Sequence, residues 1–252
     1  MAKSRDEFEV RLRQIGGERY HDKHPFHDRL HSGGCTPDQV RAWVINRYVY
    51  QSRIPMKDAA FLSRCHDPDL RRAWRSRIED HDGDADPETG REGGIRRWLR
   101  LAEAVGLDPD YVASERGVLP ATRFAVDAYV RFVRDEPMLA AVASSLTELF
   151  APRIHKQRIA GLLENYDFAT PETLAYFRRR LDEAPKDVAF GLSYVLDHAV
   201  TAEAQDMAAA ALTFKTDVLW SQLDALWSAY VEPARIPPGA WVPGEGALER
   251  AA

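Results

Sequence analysis

Cysteine is scarce in this chain, and the sequence shows neither a secretion signal nor a membrane span. The 252 residues include two cysteines, Cys35 and Cys65, without a Cys-x-x-Cys pair, so they predict no disulfide framework and no cysteine-based metal motif. No apolar run approaches the about 18 residues that indicate a membrane-spanning helix. The first residues, MAKSRDEFEV, are charged and lack the apolar segment of a signal peptide. We therefore expect a cytoplasmic protein without a membrane partner.

An excess of positive charge is missing as well. Lys and Arg together number 34 against 39 Asp and Glu, which gives a net charge of −5. Nucleic-acid-binding domains are usually basic, so we expect no nucleic-acid partner. Hydrophobic residues make up 45% of the chain and charged residues 29%, which is typical of a globular protein with a real core.

Strand signals are absent, and helix signals take their place. No alternating run is bounded by Asn-Gly or Asp-Gly turns. The tetrapeptides that begin at Ser4 (SRDE) and Thr36 (TPDQ) fit the capping box. Asp67 and Thr170 each precede a proline, which is typical of a helix start. Apolar residues recur at three and four between these starts, so the sequence predicts an all-α bundle of about seven helices over residues 1–232.

Two stretches lack helical periodicity. His81 to Gly94, HDGDADPETGREGG, is polar, Gly-rich and long for a connection between helices, which predicts a lid or entrance. Residues 233–252 are rich in Pro and Gly. This tail is a linker, an ordered strap on a neighbour, or disorder.

The segment from Ser144 to Arg158, SSLTELFAPRIHKQR, is interpreted as one helix with a proline inside it. Glu148 and His155 are seven residues apart, so on a helix they differ by about 20° in direction. Pro152 cannot donate to the carbonyl of Glu148 and is predicted to kink the helix. We expect the kink to let both side chains point into one cavity.

Polar pairs share a face on several other predicted helices. Side chains four residues apart are neighbours on a helix, and the pairs are Arg47 with Gln51, Arg77 with His81, and Tyr176 with Arg180. A solvated surface explains any single pair. If the pairs converge, they form a cationic cavity in which Glu148 is nearly the only carboxylate, and buried cations require partners. This arrangement predicts a ligand with several carboxylates or phosphates, which arginine binds in a bidentate manner.

The histidine-rich segment YHDKHPFHDRLH raises a metal alternative. Pro25 predicts a helix start at His24, so that His27 and His31 share a face. A third ligand at a fixed spacing is lacking, and cap, turn and core roles remain open for these histidines.

Long segments of the chain resemble a known enzyme family. They are, in order, NRYVYQSRIPMKDAA (Asn46 to Ala60), IEDHDG (Ile78 to Gly83), RFAVDAYV (Arg123 to Val130), SSLTELFAPRIHKQR and FKTDVLWSQLDA (Phe214 to Ala225). Together they resemble the pyrroloquinoline-quinone synthase family, cofactor-independent oxidases that complete the redox cofactor pyrroloquinoline quinone (PQQ). The resemblance implies a haem-oxygenase-like helical bundle, usually a homodimer. It also implies ring closure and eight-electron oxidation of a bicyclic polycarboxylate by O2, with release of H2O2 and without a metal or organic cofactor.

The resemblance also implies a set of pocket residues. The catalytic candidates are His81, His155, Tyr176, Arg180 and Glu148. The substrate-binding candidates are Tyr20, His21, Arg47, Tyr50, Gln51, Lys57, Arg77, Tyr129, Arg158 and Lys215. Our hypothesis makes His81 the general base, because an imidazole titrates near neutral pH, and places O2 beside Tyr176, Arg180 and His155.

Two other readings remain open from the residues alone. One is a metal-dependent oxidase of the same bundle class, and the other is a non-enzymatic binder of an anionic aromatic metabolite. Some members of the family are fused to the small peptide-carrying protein of the pathway, so the tail 233–252 is also interpreted as a possible link to that partner.

Overall fold

A computed structural model describes residues 1–84, 86 and 90–248, apart from the side chains of residues 182–188. The predicted lid, residues 81–94, lies partly outside the described residues. In the described part of the chain the structure is all-α, with eleven α-helices, two 3-10 helices and no β-strand, only isolated bridges. The all-α prediction is confirmed. Three short helices of five to seven residues (Pro25–His31, Pro109–Ala113 and Met138–Ser144) account for most of the excess over seven.

The elements follow one another with short connections. The α-helices are α1 (Arg5–Arg19), α2 (Pro25–His31), α3 (Pro37–Leu62), α4 (Pro68–Asp82), α5 (Gly94–Ala104), α6 (Pro109–Ala113), α7 (Pro120–Asp135), α8 (Met138–Ser144), α9 (Ala151–Asn165), α10 (Ala175–His198) and α11 (Ala202–Tyr230). The two 3-10 helices are His21–Lys23 and Ser145–Leu149. None of the described helices combines the length and apolar character needed to cross a bilayer.

Most helix starts lie where the caps predict them. Ser4 and Thr36 each form a complete capping box, and Asp67 accepts hydrogen bonds from the first amides of α4. The exception is Thr170, whose predicted helix start is wrong. Thr170 and Thr173 exchange side chain-to-backbone hydrogen bonds of 2.8 and 3.2 Å. These bonds hold a turn, and α10 begins only at Ala175.

The prediction of one kinked helix from Ser144 to Arg158 is also wrong. The segment is a 3-10 helix, Ser145–Leu149, followed by α9, and Pro152 lies in the first turn of α9. Its missing N–H is tolerated there. A proline that does lie inside a helix is Pro55 in α3. It cannot donate to the carbonyl of Gln51, four residues earlier.

A cluster of aromatic side chains fixes α3, α5 and α10 relative to one another. The ring of Trp43 lies 5.4 Å from that of Trp98 and 6.2 Å from that of Phe177, and all three side chains are buried. The indole N–H of Trp98 donates to the carbonyl of Val44 at 3.0 Å. Burial of each such side chain stabilises the fold by about 2–3 kcal/mol. This packing sets the distance between α3 and α10, and therefore where their polar side chains meet.

The described part of the tail packs on the bundle. Trp241 is fully buried, its amide donates to the carbonyl of Gly117 at 2.7 Å, and its carbonyl accepts from the hydroxyl of Tyr230 at 2.8 Å. The amide of Leu248 donates to the carbonyl of Gly106 at 3.1 Å. Through residue 248 the tail is thus an ordered strap on helices of its own chain.

Candidate active site

The predicted site residues meet at one cavity inside the bundle. The side chains leave a narrow space between its walls, with a cavity volume of about 30 Å³. Ten of the predicted residues line it, namely Tyr20, His21, Arg47, Tyr50, His81, Glu148, His155, Arg158, Tyr176 and Arg180. A neighbouring chamber of about 20 Å³ shares His21, Arg47 and Arg158 with it.

The other five predicted residues lie behind this wall and support it. Gln51, Lys57, Arg77, Tyr129 and Lys215 are all buried. The hydroxyl of Tyr176 donates to Oε1 of Gln51 at 2.6 Å. The carbonyl of Arg77 is bonded to Nδ1 of His81 at 2.9 Å. All fifteen predicted residues therefore either line one cavity or are buried behind its wall.

Tyr50 of α3 is held between two cations. Nζ of Lys215 donates to its hydroxyl at 2.7 Å, and the guanidinium carbon of Arg47 lies 4.0 Å from its ring centroid. Nζ of Lys215 also lies 3.4 Å from the ring centroid of Tyr129. Burial, together with the charges of Lys57 and Arg47, lowers the pKa of Lys215 well below its usual value. Without an anionic ligand, this ammonium group is poorly compensated.

Arg180 of α10 pairs with Glu148 of the second 3-10 helix. The hydrogen bond between guanidinium and carboxylate is 2.9 Å long. Burial would raise the pKa of Glu148, but the charges of Arg180 and Arg77 outweigh it and lower this pKa to about 2. Glu148 is therefore ionised at neutral pH and holds Arg180 at the cavity wall.

His81, in the last turn of α4, presents a free nitrogen to the site. Because Nδ1 faces the carbonyl of Arg77, it carries the proton and donates, which makes Nε2 the acceptor. Nε2 is buried and has no hydrogen-bond partner among the described residues. Burial and the charge of Arg180 lower the pKa of His81 to about 3. His81 is thus neutral at pH 7. The expectation that this imidazole titrates near neutral pH is wrong, because burial and a neighbouring cation lower its pKa.

Two other histidines of the cavity are neutral for the same reason. Burial and the charges of Arg158 and Arg180 lower the pKa of His155 to about 3. Burial and the charges of Arg47 and Arg158 hold the pKa of His21 well below its usual value. The cations themselves are affected, since burial and the charge of Arg47 lower the pKa of Arg158 to about 10. Neighbouring positive charges therefore lower the pKa values of both the histidines and Arg158 in this site.

The sequence analysis missed a buried carboxylate. Asp58 is fully buried, forms ion pairs with Lys57 and with Arg77 (3.4 Å), and accepts from the indole N–H of Trp74 at 2.6 Å. The signal was available, because Asp58 follows Gln51 by seven residues and so shares its face of α3. Glu148 is therefore not nearly the only carboxylate of the set.

Even with Asp58, the cations outnumber the carboxylates. The buried or half-buried cations are Arg47, Lys57, Arg77, Arg158, Arg180 and Lys215, against Glu148 and Asp58. Among the described residues this leaves an excess of four positive charges when all six cations are protonated. Buried charge of one sign is unfavourable unless it is paired, so the cavity is complementary to a polyanion.

The described residues contain no group of three or more His, Cys, Asp or Glu side chains that could hold a metal ion. Both cysteines are buried, and neither forms a disulfide bond. Burial raises the pKa of the Cys35 thiol to about 11, so this sulfur is not an activated nucleophile.

Sequence comparison identifies the family. A family model described as TENA/THI-4/PQQC matches residues 9–225. The chain belongs to this family. A pyrroloquinoline-quinone synthase of Rhizobium meliloti is 75% identical over 247 residues, which cover 98% of this chain and 95% of the relative. The predicted resemblance is thereby confirmed.

Two further similar proteins, one found by sequence and one by structure, bear on the architecture of the chain. The bifunctional coenzyme PQQ synthesis protein C/D of Methylorubrum extorquens is 58% identical over 243 residues, 96% of this chain but 64% of that protein. A crystal structure from Shewanella denitrificans, described as a domain of unknown function with a heme oxygenase-like fold, superposes with a TM-score of 0.69 at 14% identity. It covers 94% of this chain and 96% of that one. The predicted haem-oxygenase-like fold is confirmed.

Proposed function

We propose that this member of the TENA/THI-4/PQQC family is a pyrroloquinoline-quinone synthase and acts in PQQ biosynthesis. It closes a further ring on a bicyclic polycarboxylate precursor and oxidises it by eight electrons, with O2 as acceptor and H2O2 as product. No metal or organic cofactor takes part. High identity to synthases over nearly the whole chain supports the assignment.

The observation that carries this proposal is the unbalanced positive charge of the cavity. Arg47 and Arg158 lie on its wall, and Lys215 lies directly behind Tyr50. Two guanidinium groups and an ammonium group bind carboxylates from different directions and so fix the orientation of the ring. Lys57 reaches the same region through Tyr129, with Nζ 5.6 Å from the ring centroid.

His81 is the general base of the proposed reaction. Its Nε2 lone pair is buried, unpartnered and held in one tautomer by the carbonyl of Arg77. Burial depresses the pKa of His81 most, and the charge of Arg180 adds to this effect. A polyanion beside Arg180 and Arg77 opposes the contribution of charge. Substrate binding therefore strengthens the base that must remove a proton from the ring.

Reduced oxygen forms beside Arg180, His155 and Tyr176. O2 that accepts electrons becomes an anion, and preorganised positive charge and hydrogen-bond donors stabilise it. Glu148 holds Arg180 in place, and Gln51 fixes the hydroxyl of Tyr176.

The proposed partners follow from the same assignment. The protein is a cytoplasmic homodimer, and the fused C/D relative supports a link to the small peptide-carrying protein of the pathway. The end of the strap, next to Gly106, is the point from which such a link would leave.

The decisive experiment is incubation of the purified protein with the precursor in air and a metal chelator. Quinone absorbance and peroxide should appear together. Turnover that stops with chelator and returns with iron would favour the metal-dependent oxidase. Tight binding of the precursor without peroxide would favour the non-enzymatic binder.

A further inference from the structure

The mechanism above leaves the histidines of α2 unused. His27 and His31 lie on one face of α2 with ring centroids 3.9 Å apart. The ring of His21 lies 5.9 Å from that of His27, edge to face. The three imidazoles thus form a row that runs from the first 3-10 helix along α2.

This row connects two separate spaces. His21 lines the central cavity. His27 and His31 line an outer pocket of about 450 Å³, which also has the exposed side chains of Lys23, Asp28, Arg153 and Gln157 on its wall. One end of the row therefore faces the reaction site, and the other end faces solvent.

The hydrogen bonds leave the row able to exchange protons. Nδ1 of His27 is buried and has no hydrogen-bond partner among the described residues. Nε2 of His31 accepts from Nε of Arg158 at 3.2 Å, and Arg158 reaches the central cavity. The ring centroids of His21 and His27 are 5.9 Å apart, and proton transfer between them would pass through one bridging water. A neutral imidazole accepts a proton on one nitrogen and releases another from the opposite nitrogen.

The surrounding charges keep both histidines neutral at rest. Burial and the charge of Arg158 lower the pKa of His27 to about 2 and that of His31 to about 3. The other charged groups around them are Asp22 and Lys23 of the first 3-10 helix, Asp28 of α2, and Arg153 of α9. Asp22 forms ion pairs with Arg153 and Lys23. These two histidines can therefore transfer protons but do not remain protonated at neutral pH.

The proposed reaction needs such an exchange. In each two-electron step the ring loses two electrons and two protons, and O2 gains both as H2O2 (RH2 + O2 → R + H2O2). The ring proton goes first to a base at the wall, whereas peroxide takes its protons at the oxygen site. No proton is gained or lost overall, but the base and the oxygen site are separate. The base must give up its proton and the oxygen site must receive protons before the next step, and exchange with solvent does both.

We propose that His27, with His21 on its inner side and the outer pocket on its other side, relays protons between the cavity and solvent. His31 is a positioning residue that links Arg158 to the ring of His27. This role rests on the proposed oxidase function.

The test is turnover of two His27 variants with the precursor under air. In His27→Ala, kcat should fall by at least about tenfold, while KM for the precursor changes little. Added imidazole should restore the rate, because the outer pocket has room for it next to the vacated position. His27→Gln keeps polar contacts but cannot relay, so it should be slow, with an increased solvent deuterium isotope effect and an unchanged melting temperature.

The controls separate relay from packing. His198→Ala, which alters an exposed histidine at the end of α10, should behave as the parent protein. Full activity of His27→Gln with an unchanged isotope effect would overturn the relay, and so would a slow His27→Ala that imidazole does not rescue. A parent protein that forms no peroxide would instead overturn the proposed function.

Discussion

A guanidinium nitrogen of Arg180 donates to the carboxylate of Glu148 at 2.9 Å. This bond joins α10 to the second 3-10 helix and keeps a positive charge at the cavity wall. One carboxylate thus orients the cation without neutralising the site as a whole, since Arg47 and Arg158 line the same cavity.

Arg180→Ala should slow the reaction with oxygen more than it weakens binding of the precursor. We expect kcat/KM for O2 to fall by about 100- to 1,000-fold, because the variant loses positive charge where a reduced oxygen anion forms. Stopped-flow mixing of the anaerobic complex with buffer of varied oxygen content measures this constant. Arg178→Ala is the matched control, since Arg178 is exposed on the same helix. An unchanged oxygen dependence in Arg180→Ala would count against this placement.

His81→Asn should stall turnover with the precursor still bound. The amide keeps a polar group near the carbonyl of Arg77 but provides no basic nitrogen, so we expect kcat to fall by about 100-fold or more. Peroxide yield in a single turnover, together with the affinity for the precursor under nitrogen, separates chemistry from binding. A normal peroxide yield would remove His81 from the role of base.

Acid should destabilise the protein through its buried histidines. An unfolded imidazole titrates near pH 6.5, whereas the folded pKa of His81 is about 3. Between these values the unfolded chain binds more protons, so the stability is fully present above pH 6.5 and is lost as pH falls toward 3. His81 alone contributes a slope of up to about 1.4 kcal/mol per pH unit. Urea unfolding at pH 7, 6 and 5 should show the decline, with a shallower slope in His81→Gln and the parent slope in His198→Gln.

Binding of the polyanion should draw protons into the site. The pKa of Lys215 and those of His81 and His155 are depressed by burial and by neighbouring cations, and a bound carboxylate opposes that effect. Titration calorimetry under nitrogen at pH 7 should give enthalpies that differ between Bis-Tris and Tris buffers, which have different ionisation enthalpies and do not compete as anions for the cavity. Lys215→Met should reduce the difference. Equal enthalpies in the two buffers would mean that no proton is taken up.

Asp58→Asn should destabilise the fold. The variant leaves the buried ammonium of Lys57 and the guanidinium of Arg77 without their carboxylate, and loss of one partner in a buried ion pair costs about 3–5 kcal/mol. Denaturant unfolding measures the loss. Asp69→Asn breaks a surface pair with Arg72 and should leave the stability unchanged. A stable Asp58→Asn protein would show that Lys57 and Arg77 have sufficient alternative partners.

Local features of the fold were accessible from the sequence, and features that depend on distant neighbours were not. The capping boxes at Ser4 and Thr36 involve residues three positions apart, so the sequence alone predicts them. The turn at Thr170 was mistaken for a helix start because both begin with the same side chain-to-backbone bond. The sequence pattern places Pro152 inside a helix, because apolar residues continue across the boundary between the second 3-10 helix and α9.

The helical class of this protein, the helix starts at Ser4, His24, Thr36 and Asp67, and the polar residues that share helix faces could be predicted from the sequence alone. These depend on spacing within one segment, where side chains and backbone are already neighbours. Tertiary structure decided that Asp58 pairs with Lys57 and Arg77, that Tyr176 meets Gln51, and that His81 is neutral. Burial and charge from other helices set those properties, because electrostatic energy in a dry interior depends on which groups lie within a few ångströms of each other.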